Sequence, residues 1–295
     1  LNFTLALALA LLVFALWIAL ENRPWRAAVM LPLAVLVWLC HVSGWGILGL
    51  LVLGYEWSRA KHWRTLLAPW PLTLPFAFLL FGAGTKGLFS YGENLPAYAI
   101  GIWMKAMRDQ SLQLDLLGLA GVIAVLALAA LRRRFDPRLG WPALALLAAA
   151  IIMPRHIFGG DYADYRMIPP ALMLGCMAMD WRAPRWALWA AGSLFAVRLA
   201  VTCQAWVAEA PVFEAKLALL DHVPRGAVVA NAIAVNPTEW RFRPDEHICG
   251  FAVVRRDALS NCNFAIARVH MLGLKRFGPE FTDPSHRLFV LACRT

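Results

Sequence analysis

Seven polar or phenolic side chains fall within twelve positions: Arg155, His156, Asp161, Tyr162, Asp164, Tyr165 and Arg166. The mixture suits a site that handles a sugar joined to a lipid phosphate. A guanidinium holds a phosphate through two parallel hydrogen bonds. A carboxylate binds sugar hydroxyls or serves as a base. A tyrosine offers a flat face and one hydroxyl. Gly159 and Gly160 let the backbone turn sharply among these groups. A plainer reading competes, in which Asp164 and Arg166 form a structural ion pair capping two helices and the tyrosines are ordinary interfacial residues.

Three further positions extend the set. His41, beside Ser43, either lines a cavity or is a helix-end histidine bonded to a carbonyl. Lys86 either pairs with a lipid phosphate or is a solvated interfacial lysine. Arg198 is expected to snorkel to the surface, with a phosphate contact as the alternative. His222, His247, His270 and His286 match no zinc spacing. The chain has no GxGxxG, GxxxxGK[ST] or GxSxG motif, which weakens nucleotide-hydrolysing and serine-hydrolase readings. The candidate binding residues are therefore Arg155, His156, Asp161, Asp164, Arg166, His41 and Lys86, with no catalytic residue and no metal site assigned.

The elements that must position them are apolar. Of 295 residues, 61% are hydrophobic and 16% charged, far from the balance of a soluble domain. Charged residues number 26 in positions 1–205 but 20 in the last 90, so the chain divides into a transmembrane helical domain, 1–205, and a globular domain, 206–295. Of the net charge of +10, +8 lies in short arginine clusters between apolar runs. That pattern sets membrane orientation and excludes a nucleic-acid partner. About eight spans are read: 2–20, 27–41, 45–57, 66–83, 112–131, 141–154, 167–180 and 186–205. The long run 27–57 is split at His41–Gly44, and Pro69, Pro71 and Pro75 are expected to kink or delay the fourth span. Residues 95–110 read as an interfacial helix presenting Lys105, Arg108 and Asp109 on one face.

Arg23/Arg26, Arg59/Lys61/Arg64, Arg132/Arg133/Arg134/Arg138 and Arg182/Arg185 then share one side, expected to be cytoplasmic. His41, the segments 84–111 and 155–166 and the C-terminal domain share the other. That domain reads as small and α/β, with strands at 227–234, 249–255 and 288–293 and a loop or short helix over 257–263. Cys249 and Cys262 can pair if it lies outside the cytoplasm. Leu1 opens inside an apolar run without a charged leader region or a cleavage site, so the chain is read as the C-terminal part of a longer protein.

The stretches LNFTLALALALLVFALWIAL, LCHVSGWGILGLLVLGYE, FGGDYADYRMIPPAL and HICGFAVVRRDALSNCNFA resemble a group of bacterial multi-spanning membrane proteins of unassigned activity. By architecture that group is similar to C-type glycosyltransferases, integral membrane enzymes that use polyprenyl-phosphate sugars. The resemblance implies a mainly α polytopic bundle in the bacterial plasma membrane, with an extracytoplasmic C-terminal domain. It implies inverting transfer from a polyprenyl-phosphate-linked sugar, with membrane lipid as a second partner and, in some members, a divalent cation. The superfamily's catalytic acid usually lies in a first outer loop, which would precede Leu1, so no catalytic residue carries over. The alternatives are a non-catalytic scaffold or partner-binding protein of the cell envelope, and a transporter. The sequence shows neither inverted repeats nor mid-membrane ionisable clusters to support a transporter.

Overall fold

The computed structural model describes residues 2–81, 89–91, 94–157, 161–181, 183–235, 239–241, 248–262, 265, 274 and 288–291, and it is mainly helical. The chain groups into two compact units, Leu1–Met107 with Leu119–Ala183, and Arg108–Gly118 with Pro184–Thr295.

In the first unit, α1 (Asn2–Ala19), α2 (Arg26–Cys40) and α3 (Val42–Arg59) pack side by side. α1 carries no charge and α2 only Arg26 at its first residue, so nothing interrupts the apolar runs until the polar turn Glu21–Arg26. The long run breaks at His41, as its residue types suggested. His41 is extended (φ −172°, ψ 130°), and its Nδ1 accepts a hydrogen bond from the Ser43 backbone N–H at 3.0 Å, capping α3. α3 is the centre of the bundle, with Ile47, Leu48, Leu51, Val52 and Tyr55 fully buried against α1, α2 and α7 (Pro137–Ile152). Small residues permit the approach. A Cβ on Gly44 would lie 2.5 Å from the Ala6 Cβ, and one on Gly54 would lie 2.6 Å from the Pro142 Cα of α7.

α4 is Leu74–Phe81, α5 Leu95–Met104, α6 Leu112–Leu131 and α8 Ile168–Met177. The loops after α6 and α8 are joined by an antiparallel bridge, Phe135 to Met179. Glu21 pairs with Arg59, and Arg26 lies 3.5 Å from Glu56. Trp57 meets Trp141 at the start of α7. One end of this unit therefore gathers the polar termini of α1, α2, α3 and α7. The α2–α3 break is at the opposite end.

In the second unit α9 (Arg185–Leu219) runs for 35 residues. Trp186 and Trp189 precede Trp206 by 17 to 20 positions, about 26–30 Å along a helix, which matches two aromatic belts at bilayer spacing. Beyond α9 come β1 (Val228–Val229), β2 (Ala232–Val235), α10 (Cys249–Arg256), β3 (Leu259–Ser260) and β4 (Leu288–Leu291). β1 pairs with β3 and β2 with β4, both parallel. Cys249 and Cys262 form a disulfide.

Several expectations are corrected. Among the described residues three helices, not about eight, are long and apolar enough to cross a membrane: Asn2–Ala19, Leu112–Leu131 and Arg185–His222. The helices Arg26–Cys40 and Pro137–Ile152 are apolar but shorter. The proline-rich stretch forms two 3-10 turns, Trp63–Leu67 and Trp70–Thr73, which delay the start of α4 to Leu74. Helix α8 has only ten. Segment 249–255 is a helix, not a strand, because its buried residues Cys249 and Ala252 recur every three positions rather than every two. Its end is set by Asp257 in the left-handed region (φ 53°). The expected strand 227–234 is divided at Asn231, whose N–H donates to the Asn261 side chain at 2.8 Å. The loop expected over 257–263 holds β3. Helix α5 ends at Met104, followed by a 3-10 turn over Lys105–Met107, so Lys105, Arg108 and Asp109 do not line one helical face.

Gly54→Ala is expected to destabilise the protein by about 1–3 kcal/mol through overpacking against Pro142. Gly46→Ala, where an added Cβ meets nothing within 4 Å, is expected to be neutral. Thermal unfolding in detergent compares the two, and equal midpoints would refute the close α3–α7 contact.

Candidate functional site

The segment 153–167 leaves α7 and returns as a 3-10 turn, Tyr165–Met167, that leads into α8. Its groups divide into three sets. Arg155 donates twice to Asp161, Nε to Oδ1 at 2.7 Å and Nη2 to Oδ2 at 2.9 Å. The guanidinium lies over the rings of Tyr98 (5.2 Å) and Tyr162 (4.6 Å). Burial alone would push the Asp161 carboxyl up, but hydrogen bonds from Arg155 and the Tyr162 N–H hold it below the ordinary carboxylate range. Tyr162 reaches that position through a left-handed backbone (φ 58°), which a tyrosine rarely adopts. His156 Nε2 is 3.3 Å from the same Asp161 oxygen, and its backbone is bridged to Ser90. The buried His156 Nδ1 has no hydrogen-bond partner among the described residues.

Asp164 forms the second set. It is 4% exposed and accepts from the Tyr98 hydroxyl at 2.9 Å and from the Tyr165 N–H at 2.8 Å. Burial, and then the bond to Asp164, push the Tyr98 phenol above its usual value. The Tyr165 hydroxyl in turn donates to the Lys105 carbonyl at 2.6 Å. The carboxylate is thus a cap for the Tyr165 turn rather than one half of an Asp164–Arg166 ion pair.

Arg166 forms the third set. Its Nη1 donates to Ser43 Oγ at 3.2 Å, and its guanidinium lies 5.4 Å from the Phe3 ring centre. Phe3 meets the His41 ring edge-on at 5.7 Å. Among the described residues no carboxylate forms an ion pair with Arg166. Burial, followed by the Arg166 charge, lowers the His41 imidazole to about 4, so His41 is neutral at pH 7. Arg155, His156 and Asp161 therefore meet as one cluster, Asp164 joins Tyr98, and His41 and Arg166 meet through Phe3 and Ser43. Lys86 lies outside the described residues. Among the described residues no group of three or more His, Cys, Asp or Glu side chains is placed to hold a metal ion.

The second unit contains a polar cluster that sequence reasoning missed. Asp115, 1% exposed in the first turn of α6, receives Arg198 Nη2 at 2.9 Å, Trp240 Nε1 at 2.8 Å and the Asp109 N–H at 2.6 Å. Arg198 is therefore paired inside its unit and does not snorkel. The signal was present in the sequence, because Asp115 and Arg198 are isolated opposite charges within two apolar runs.

No protein-family model, curated protein or solved structure matches the chain.

Two outcomes are expected here. The neutral His41 contributes stability in full above pH 6.5. That contribution falls as pH drops from 6.5 towards 4, because the unfolded chain takes up the proton first. Unfolding midpoints measured between pH 7.5 and 4.5 should decline less in His41→Asn than in wild type, and parallel declines would contradict the assignment. Asp115→Ala should cost about 3–5 kcal/mol by leaving Arg198 buried without its partner. Asp115→Leu combined with Arg198→Leu should recover most of that loss in the same unfolding assay.

Proposed function

We propose that the protein is a membrane glycosyltransferase-like protein that binds the phosphate of a polyprenyl-phosphate-linked sugar at the outer face of a bacterial plasma membrane. The observation that carries the reading is Arg166. Its guanidinium is held half-buried by a neutral serine and an aromatic ring, beside a neutral histidine, without a carboxylate ion pair among the described residues. Such a group has donors left for an incoming phosphate. Arg155, by contrast, is saturated by Asp161. Tyr162, 44% exposed in the same segment, supplies a phenolic group for a sugar.

Two observations favour the placement. The Cys249–Cys262 disulfide suits an oxidising compartment for the C-terminal segment. The arginine-bearing termini of α2 and α3 share the end opposite the site, as the positive-inside rule requires if the site faces outward.

A second reading, a non-catalytic scaffold of the cell envelope, is favoured by one specific fact. Asp161 and Asp164 are both committed to hydrogen bonds within the fold, so neither is free to act as a base. Binding separates the two readings. With the purified protein in nanodiscs and undecaprenyl phosphate as the probe, Arg166→Ala should weaken affinity about tenfold to a hundredfold, the range of a lost charge-assisted hydrogen bond. Arg166→Lys should retain part of it. No measurable binding by the wild-type chain, or an unchanged affinity in Arg166→Ala, would favour the scaffold.

A further inference from the structure

The end of the first unit remote from Arg166 carries a second arrangement of basic groups. Between the loops that follow α6 and α8 lies an open hollow of about 840 Å³, lined by Arg132, Arg134, Met179, Asp180 and Trp181. Its walls are fixed by backbone bonds. The Asp180 N–H donates to the Arg134 carbonyl at 2.9 Å and the Asp136 N–H to the Ala178 carbonyl at 2.7 Å, on either side of the Phe135–Met179 bridge.

Arginines at the end of a helix are often explained as caps for its last carbonyls. That explanation fails for α6. Its end is closed by the backbone alone, with Arg134 N–H donating to the Ala129 carbonyl at 2.9 Å and Arg133 N–H to the Ala130 carbonyl at 3.0 Å. This Schellman closure requires a left-handed residue, and Arg133 (φ 52°) occupies the position where glycine is least strained. Among the described residues the guanidinia of Arg132 and Arg134 form no hydrogen bond or ion pair. Arg132 is held instead over the Trp181 ring, at 5.5 Å. Directly before it, Leu131 is 84% exposed at the end of an apolar span, and Met177 is 63% exposed at the end of α8. Unpaired guanidinia, an interfacial tryptophan and exposed apolar side chains at one span end are the parts of a lipid headgroup site.

We propose that this hollow binds the headgroup of an anionic glycerophospholipid, with Arg132 and Arg134 on the phosphate, Trp181 at the glycerol level and the acyl chains along Leu131 and Met177. Asp180, on the same rim, disfavours multiply charged anions and can accept a hydroxyl of a glycerol headgroup, which makes phosphatidylglycerol the fitting ligand. The inference rests on the membrane reading of the chain and is independent of the sugar-donor reading.

Native mass spectrometry of the purified chain with equal amounts of phosphatidylglycerol and phosphatidylcholine tests it. Wild type should retain one phosphatidylglycerol at collision energies that strip phosphatidylcholine. Arg132→Ala with Arg134→Ala should weaken that adduct about tenfold or more, the effect of two lost surface charges near a headgroup. Arg132→Lys with Arg134→Lys should keep part of it, which guards against a fold defect in the alanine variant. Arg133→Gly, which removes a neighbouring charge outside the lining and relieves its backbone, should leave the adduct unchanged. An equal loss in Arg133→Gly would mean diffuse surface attraction and overturn the site. Displacement of the lipid by millimolar inorganic phosphate would assign the hollow to a free anion and overturn the lipid. A chain that fails to reconstitute into detergent or nanodiscs would instead refute the membrane reading itself.

Discussion

The buried carboxylate of Glu56 holds three helix ends together, and the order of the first unit follows from it. Glu56 is 1% exposed and accepts from Trp17 Nε1 at 2.8 Å, with Arg26 and Arg59 within 4 Å. Trp17 belongs to α1, Arg26 opens α2, and Arg59 closes α3. A carboxyl group at that depth is costly without such partners. Their placement fixes the axial register of α1, α2 and α3 at one end. Helix length then delivers Phe3, His41 and Ser43 to the other end, where Arg166 meets them. The candidate site is positioned from a distance by a charge network that takes no part in it.

Buried charges in this protein are of two kinds. Glu56, Asp115 and Asp161 each face two or more donor or cationic residues that fix the carboxyl group in place. They specify packing. Arg166 differs, since its guanidinium donates to a neutral hydroxyl and lies beside the uncharged His41 and Phe3, while the Asp161 charge acts on it without forming an ion pair. That asymmetry matters because a satisfied network resists a ligand, whereas a cation without an ion-paired carboxylate gains by meeting an anion. The dense polar stretch 155–166 contains both kinds within a few residues, so residue density alone is a poor guide to which group binds.

Much of the helical frame was legible in the sequence. The break at His41 was visible because one polar trio interrupts an apolar run too long for a single straight helix. The start of α7 was missed, because the apolar run read as a span begins at 141, whereas Asp136 caps the helix from Pro137, its carboxylate accepting from the Arg138 N–H at 2.8 Å. Other features depended on partners distant in sequence. The prolines at 69, 71 and 75 announced a delayed helix, but not that two 3-10 turns would precede it. In the tail, the run CGFAVVR fits a strand by composition, and its helical state reflects burial of Cys249 and Ala252 on one face. The division of 155–166 into a saturated pair, a turn cap and an unpaired arginine was not legible, because it is decided by Tyr98 and Ser43, which lie 66 and 123 residues away from their partners.

α9 is longer than a bilayer crossing requires. It continues about thirteen residues past Trp206, about 20 Å of rise, before its 3-10 end at Leu220–His222. There Arg256 of α10 donates to the Leu220 carbonyl and to Asp221, both at 2.8 Å. Helix α10 is thus tied to the C-terminal end of α9 through one arginine side chain. Because α10 also carries Cys249 of the disulfide, a displacement at the end of α9 is passed directly to the cross-linked segment.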